Sequence, residues 1–309
     1  METAVCIVGL GLIGGSLLRA VAPHTPAFGY NRSPATVDAA TSAGFDVSGD
    51  LPATLRRAAA DDALIVIATP ATTLDDILSA IADYAPDCAL TDVVSVKGQV
   101  ARAVEAHGLR ARFVGGHPMA GTAESGWEAT DPELFSDAVW VVTADEHADP
   151  VVWLRVANLA QSVGARVVPA GSDDHDRAVA GISHLPHLTA AATAAVGIAD
   201  GDLATRLAAG SFRDGTRVAS TAPRQQRAML EANPTALLNA LTETIDRLTQ
   251  ARDELRDNGT VHTLVTDGHR ARTRYEDFQS NKISGIVIGQ PGWQAGLRAA
   301  GNRGEVWTG

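Results

Sequence analysis

The strongest constraint on this chain lies in its first fifteen residues. The apolar run Ala4-Val5-Cys6-Ile7-Val8 passes directly into Gly9-Leu10-Gly11-Leu12-Ile13-Gly14, and Leu17, Leu18 and Val21 then fall on one helical face. Glycines at that spacing between a strand and a helix allow a tight turn, close approach of the backbone to a pyrophosphate, and close helix–strand packing. The helix N-terminus adds unpaired N–H groups and positive potential. The predicted element is the opening β-turn-α unit of a dinucleotide-binding domain, with Gly9, Leu10, Gly11, Leu12, Ile13 and Gly14 against the cofactor. The alternative, a purely structural glycine turn, does not need this strand-to-helix context.

The rest of the first half repeats that rhythm. Strands are expected at Ala27–Tyr30, Ala63–Ala68, Cys88–Asp92, Arg112–Gly115 and Val139–Thr143, with segments of helical apolar spacing between most of them. This is the pattern of an α/β fold, a Rossmann-type doubly wound parallel sheet, over residues 1–171. Ser33-Pro34 and Asp149-Pro150 mark helix starts, and Gly44 and Gly108 follow helix ends. From about Ser172 the strand signals stop. Helices are expected over Asp173–Ile198 with a kink at Pro186, over Asp202–Ala209 and Arg224–Ala232, and from Thr235 to about Asp257. An all-helical domain over 172–280 buries its stripes internally or against a second subunit, so a homodimer is expected. The glycine-rich segment 281–309 reads as a small appended β element.

Charge narrows the partners. The 309 residues carry 25 Lys+Arg against 36 Asp+Glu, a formal charge of −11, and no basic block. Nucleic acid and anionic membrane surfaces are therefore poor partners, and a small-molecule substrate is expected. No apolar run approaches the roughly 18 residues of a membrane span, and no leader-like segment precedes the first strand, so the expectation is a soluble, cytoplasmic protein. Cys6 and Cys88 sit in short apolar runs and read as free core thiols. Lys97 and Lys282 are the only lysines.

Where a carboxylate for an adenosine ribose is usually found, the chain reads Tyr30-Asn31-Arg32-Ser33. Nothing there repels a 2′-phosphate, and Arg32 can pair with one or stack on adenine, which tilts the balance toward NADP. Asn31 can equally bond ribose hydroxyls, so NAD stays open, and Asn31, Arg32 and Ser33 are all candidate cofactor contacts. Ala68-Thr69-Pro70 ends a strand at the carboxyl edge, where ligands of open sheets bind.

The chemical end is marked by Gly116-His117-Pro118-Met119-Ala120-Gly121-Thr122, read as a rigid loop after a short strand. A histidine at that edge can take a hydroxyl proton as hydride leaves the same carbon. A loop histidine that merely bonds a backbone carbonyl is the plainer reading. Thr91-Asp92-Val93-Val94-Ser95-Val96-Lys97 brings a hydroxyl and a lysine to the same edge. Asp174-His175-Asp176 and Ser183-His184-Leu185-Pro186-His187 lie on the first helix of the second half, with His184 and His187 on one face. Two histidines without a carboxylate or thiol partner make a weak metal site, and none is assigned. Histidines that bond across helices are the structural alternative.

In order along the chain, the glycine turn, Asp92-Val93-Val94-Ser95-Val96-Lys97, Gly116–Thr122, Ser183–His187 and Phe212-Arg213-Asp214-Gly215-Thr216-Arg217 resemble the prephenate/arogenate dehydrogenase family of tyrosine biosynthesis. The resemblance covers about residues 4 to 260. It implies a Rossmann domain followed by a helical dimerisation domain, and NAD(P)-dependent oxidative decarboxylation of prephenate to 4-hydroxyphenylpyruvate, or of arogenate to tyrosine. It implies His117 as the proton acceptor, Ser95 as the group that orients the substrate hydroxyl or His117, and Thr122, His184, His187 and Arg217 as substrate contacts. Arg217 suits carboxylate binding. Three positions depart from the family pattern: Ala123 where a glutamate is frequent, with Glu124 one place later; Gln226 in a stretch where many members carry an aromatic; and Val94 in place of a glycine. Other readings are a different Rossmann reductase, such as a hydroxyacid dehydrogenase, or a nucleotide-sensing module without catalysis. The His-Pro-Met stretch weighs against the first, and the joint presence of Ser95, His117 and Arg217 against the second.

Overall fold

Short runs of branched apolar residues form the centre of a parallel sheet. Strands β1 (Val5–Val8) and β4 (Leu64–Ile67) are buried along their whole length, as strands covered on both faces must be. With β2 (Ala27–Tyr30), β3 (Val47–Ser48) and β5 (Leu90–Asp92) they make five parallel strands in the order β3-β2-β1-β4-β5 in a computed structural model that describes residues 3–122, 124–199 and 201–309. Helices α1 (Leu12–Val21), α2 (Pro34–Ser42), α3 (Leu51–Ala60) and α4 (Leu74–Tyr84) connect them, and α5 (Lys97–Ala106) leads on from β5. Chain order reverses between β1 and β4, the crevice where open sheets bind ligands. As predicted, Ser33 caps α2, with Oγ accepting from Thr36 N at 3.4 Å. Cys6 and Cys88 are free and buried, and burial pushes their thiols up to about 12 and about 11. They are inert core groups.

A second, mixed sheet follows. Strand β6 (Gly116–Pro118) pairs antiparallel with β7 (Val139–Thr143), which pairs parallel with β8 (Arg166–Ala170) across helix α6 (Pro150–Ser162). The strand expected at Arg112–Gly115 is instead a 3-10 turn, Arg110–Arg112, and a single bridge between Leu90 and Phe113. His117 therefore stands on a strand rather than on a loop.

The two sheets are joined by a buried ionic tie. Lys97, 1% exposed, donates from Nζ to Asp92 Oδ2 and to Gly116 O, the latter at 2.6 Å. Asp92, fully buried, also accepts from Gly116 N at 3.2 Å and Val94 N at 3.0 Å. Burial pushes this carboxyl up, and the ammonium and the two N–H groups oppose that push. Gly116 has no room for a side chain: a Cβ would lie 2.7 Å from Asp92 O.

The chain forms two compact units, Met1–His175 with Asn281–Gly309, and Asp176–Ser280. Helix α7 (Ser172–Val179) runs into a π-helical stretch, Ala180–His184, before α8 (Leu185–Gly197). The single kinked helix predicted there is thus three segments. Pro186, with no N–H to donate, falls in the first turn of α8, where none is needed. Helices α9 (Asp202–Leu207), α10 (Gly210–Thr216), α11 (Pro223–Glu231), α12 (Pro234–Asn258) and α13 (His262–Glu276) complete the helical unit. The tail 281–309 is not the predicted β element. It is mainly helix α14 (Trp293–Asn302) with two isolated bridges, Lys282 to Val306 and Val167 to Trp307, and its Ile283, Trp293, Leu297 and Ala300 enter the core of the first unit.

Lys97→Met leaves the Asp92 carboxylate buried without its cation, and is expected to lower unfolding free energy by about 3–5 kcal/mol. Denaturant titration measures this, and a change below about 1 kcal/mol would mean that Asp92 is carried without its ammonium.

Candidate active site

The geometry of the glycine turn suits a diphosphate. Gly9 has φ +103°, and a Cβ there would lie 2.8 Å from Ala68 O; one on Gly14 would lie 2.0 Å from Gly9 O. Both glycines are therefore consumed by strand–turn–helix contact. At Gly11 a Cβ would meet nothing within 4 Å, so its bareness keeps space open beside the N-terminus of α1, which carries no side-chain cap and no acidic residue in its first turn. That is the space a pyrophosphate needs. Thr69, beside this turn, has its Oγ1 shielded from solvent with no hydrogen-bond partner among the described residues, which suits a polar ligand atom. Leu10 is buried in the core, while Leu12 and Ile13 are half-buried.

At the end of β2, Asn31 Oδ1 accepts from Ser33 N at 3.0 Å, shaping the turn, and Arg32 is exposed. Ala68, Thr69 and Pro70 follow β4 at the carboxyl edge beside Gly9. The far side of α1 is clasped by the segment returning from β6. Ser16 Oγ accepts from Asp131 N at 2.9 Å, Arg19 Nε donates to Thr130 Oγ1 at 2.6 Å, and the Arg19 guanidinium lies 4.4 Å from the Trp127 ring centroid.

His117, half-buried on β6, is held through Nδ1, 2.8 Å from Nε2 of the buried His175, with the rings edge to face at 74°. If His117 is to receive a proton at Nε2, its Nδ1 must carry hydrogen and donate, with His175 accepting; the pair then selects the base-competent tautomer and favours the imidazolium that forms. His175 belongs to the Asp174-His175-Asp176 stretch, and its pairing with His117 leaves no trace in the sequence because the two are 58 residues apart. Ser95 is half-buried on the connection from β5 to α5, two residues before Lys97. Lys97 itself is buried, with its ammonium bound to Asp92 and to Gly116 O. Thr122 is exposed and its Oγ1 accepts from Glu124 N at 3.2 Å, while Ala123 lies outside the described residues.

The helical unit carries its own cluster. His184 is 1% exposed, with Nδ1 3.4 Å from Asn233 Nδ2, which also donates to Asp176 O at 2.7 Å. His187 Nδ1 lies 3.2 Å from Gln226 Nε2. Burial holds His187 below the usual imidazole value and Arg217 adds to this, against a raising bond to the Val218 backbone. Arg217 is exposed at the end of α10, with no ion pair to a described residue. Gln226 thus bonds a substrate-site candidate. The structure brings His187, Gln226 and Arg217 together, and ties His184 into the helix packing. Among the described residues no three His, Cys, Asp or Glu side chains are grouped to hold a metal, and no helix is long and apolar enough to cross a membrane.

Comparison with known proteins agrees with this division. The family model for the prephenate dehydrogenase nucleotide-binding domain matches residues 14–169, and that for the prephenate dehydrogenase dimerization domain matches residues 171–266. The chain is 32% identical over 261 residues to the prephenate dehydrogenase of Bacillus subtilis, covering 82% of this chain and 70% of that one. It is 31% identical over 260 residues to the cyclohexadienyl dehydrogenase of Zymomonas mobilis, covering 80% and 87%. A crystal structure from Corynebacterium glutamicum, provisionally named a prephenate dehydrogenase, superposes with a TM-score of 0.94 at 46% identity over 100% of this chain and 99% of that one. The prephenate dehydrogenase of Aquifex aeolicus, solved with hydroxyphenyl propionate and NAD+, gives 0.79 at 25% identity over 90% and 99%.

The glycines separate folding from binding. Gly14→Ala is expected to lower stability by about 1–3 kcal/mol through the clash with Gly9 O. Gly11→Ala is expected to keep the melting temperature and weaken NAD binding about tenfold or more by filling the phosphate space. Equal NAD affinity in Gly11→Ala and the parent, measured calorimetrically, would remove the phosphate from this turn.

Proposed function

The chain belongs to the prephenate dehydrogenase family, and from that membership we propose that it catalyses the NAD(P)-dependent oxidative decarboxylation of prephenate to 4-hydroxyphenylpyruvate. The observation that carries the reading is the His117–His175 pair, 2.8 Å apart, with His117 on β6, the strand that Lys97 ties to the carboxyl end of β5 in the parallel sheet. When bound at the glycine turn, the oxidised nicotinamide supplies a two-electron acceptor for the hydride on C4 of the substrate ring.

Within this reading His117 accepts the C4 hydroxyl proton as the C4–H bond breaks, and His175 holds the receiving ring in place. Loss of the C1 carboxylate as CO₂ returns its bonding pair to the ring. The ring becomes aromatic, and the proton held on His117 goes back to the oxygen. Ser95 orients that hydroxyl. Arg217 supplies a guanidinium fork to a substrate carboxylate, with His187 and Gln226 beside it and Thr122 as a further contact; His184 supports them through the helix packing. Arogenate, which has an amino group where prephenate has a keto oxygen, is the second substrate to test, since a related structure is that of the Synechocystis arogenate dehydrogenase.

For the cofactor, the absence of a carboxylate at Asn31-Arg32-Ser33 favours acceptance of NADP beside NAD. For assembly, α12 leaves Leu238, Ile245, Leu248 and Leu255 exposed at spacings of seven, three and seven, a stripe that suits a helical dimer, in a stretch matched by a dimerization domain.

Reduction of NAD on addition of prephenate, followed by nicotinamide absorbance, tests the reading, with arogenate and NADP as parallel arms. His117→Asn is expected to lower kcat by about 10²–10⁴ with NAD affinity intact; activity within about twofold of the parent would exclude it as the base. Arg217→Ala is expected to raise KM about tenfold or more with a smaller effect on kcat. Arg32→Asp is expected to shift the NADP/NAD ratio of kcat/KM toward NAD by about tenfold or more. An unmoved ratio would make Arg32 a solvated surface residue.

A further inference from the structure

We propose that the C-terminal segment, which lies beyond the residues matched by the family models, is a positioning device for the histidine pair, with Arg298 and Asn302 holding the β7–β8–α7 junction from which His175 reaches His117. The inference rests on the reading of His117 as the base. The segment is first anchored apolarly. Trp293 and Trp307 pack edge to face on Trp153, with centroids 5.9 and 5.3 Å away, and Leu297 and Ala300 are fully buried. Trp307 N donates to Val167 O on β8 at 2.8 Å. At Gly301 a Cβ would lie 1.7 Å from Pro169 O, so α14 touches β8 backbone to backbone.

Two polar side chains of α14 are then aimed past this core at the start of α7. Arg298 Nη1 donates to Ala144 O at 2.7 Å, and Ala144 N donates to Ala170 O at 2.8 Å, so one guanidinium grips the point where β7 and β8 end together. Its aliphatic stem lies against Gly171, where a Cβ would be 3.1 Å from Arg298 Cδ. Asn302 Nδ2 donates to Asp174 Oδ2 at 3.4 Å. From the other side, Asp145 accepts from Ser172 N at 2.9 Å and from Ser172 Oγ at 2.5 Å. Positions 171, 172 and 174 are thus each fixed from outside the helix. His175, whose N–H donates to Gly171 O at 2.9 Å, is carried by that turn. A helical turn moves as a body, so slack at Arg298 or Asn302 becomes slack in the 2.8 Å bond to His117. The charged groups around the pair, Asp92 and Lys97 at the Gly116 backbone and Asp174, Asp176 and Arg177 on the helix that carries His175, all keep their side chains in the α14 variants.

The test uses Arg298→Met, Asn302→Ala and the double variant in the full chain. The double variant is expected to bind NAD within about twofold of the parent and to lower kcat by about 10- to 100-fold, as misplacement of a reacting group does. The acid limb of its kcat/KM profile is expected to move to lower pH, because a weakened Nδ1–H donation no longer favours the His117 imidazolium. A folded double variant with the parent's kcat and acid limb would overturn the proposal. Should Arg298→Met fail to fold, Asn302→Ala, an exposed substitution, decides alone: parental kcat and acid limb there overturn it as well. If the parent chain turns over neither prephenate nor arogenate, the proposed reaction fails. The device is then judged by the imidazole ¹⁵N resonances of His117 and His175, which must shift in Asn302→Ala and whose constancy would overturn it.

Discussion

One buried bond, Lys97 to Asp92 and to the Gly116 carbonyl, governs the geometry of the chemical end. β6 is three residues long and pairs with a single full strand, too little to fix its tilt against the parallel sheet. The ammonium supplies the second constraint by tying the carboxyl end of β5 to the backbone one residue before His117. A buried ion pair contributes little net stability but strongly penalises any arrangement that separates its members. Here the arrangement it protects is the placement of a histidine relative to a nucleotide crevice. The rarity of lysine in an arginine-rich chain fits this: a compact ammonium on a flexible stem reaches both acceptors from one atom.

How much of this was legible in the sequence depended on how local the cause was. The opening strand, glycine turn and helix are local in every part, and β1, Gly9–Gly14 and α1 stand where the pattern put them. The ends of β2 and β7 were equally plain, since alternation and turn residues bound them. β6 was misplaced because Phe113 and Val114 look like strand residues, whereas strand formation is decided by β7, more than twenty residues away. α13 has no buried residue and so no apolar period to find. The helical spacing of Trp293, Leu297 and Ala300 was present in the tail but was masked by its glycines.

The candidate site shows the same divide. His117, His184, His187 and Arg217 were found through short motifs, which need no knowledge of the fold. Their partners were not. His175 reaches His117 across 58 residues and Gln226 reaches His187 across 39, and neither pairing leaves a trace in spacing. Lys97 was noticed for its rarity, yet its burial and its second acceptor come only from the meeting of β5 with β6.

The chain's charge of −11 and the anionic ligands of its proposed reaction are reconciled by where the positive potential comes from. At the glycine turn it is carried by the backbone: the uncapped N–H groups of α1 attract phosphate without a cationic side chain, so the cofactor end needs none in its first turn. At the proposed substrate cluster it is carried by Arg217, exposed and without an ion pair to a described residue, beside His187, whose charged form burial disfavours. An uncharged His187 leaves Arg217 as the cluster's cation and can itself give or take a hydrogen bond. The surface elsewhere can then be acidic at no expense to binding, because the fields that matter arise within a few ångströms of the ligand and are screened beyond about 8 Å at physiological salt.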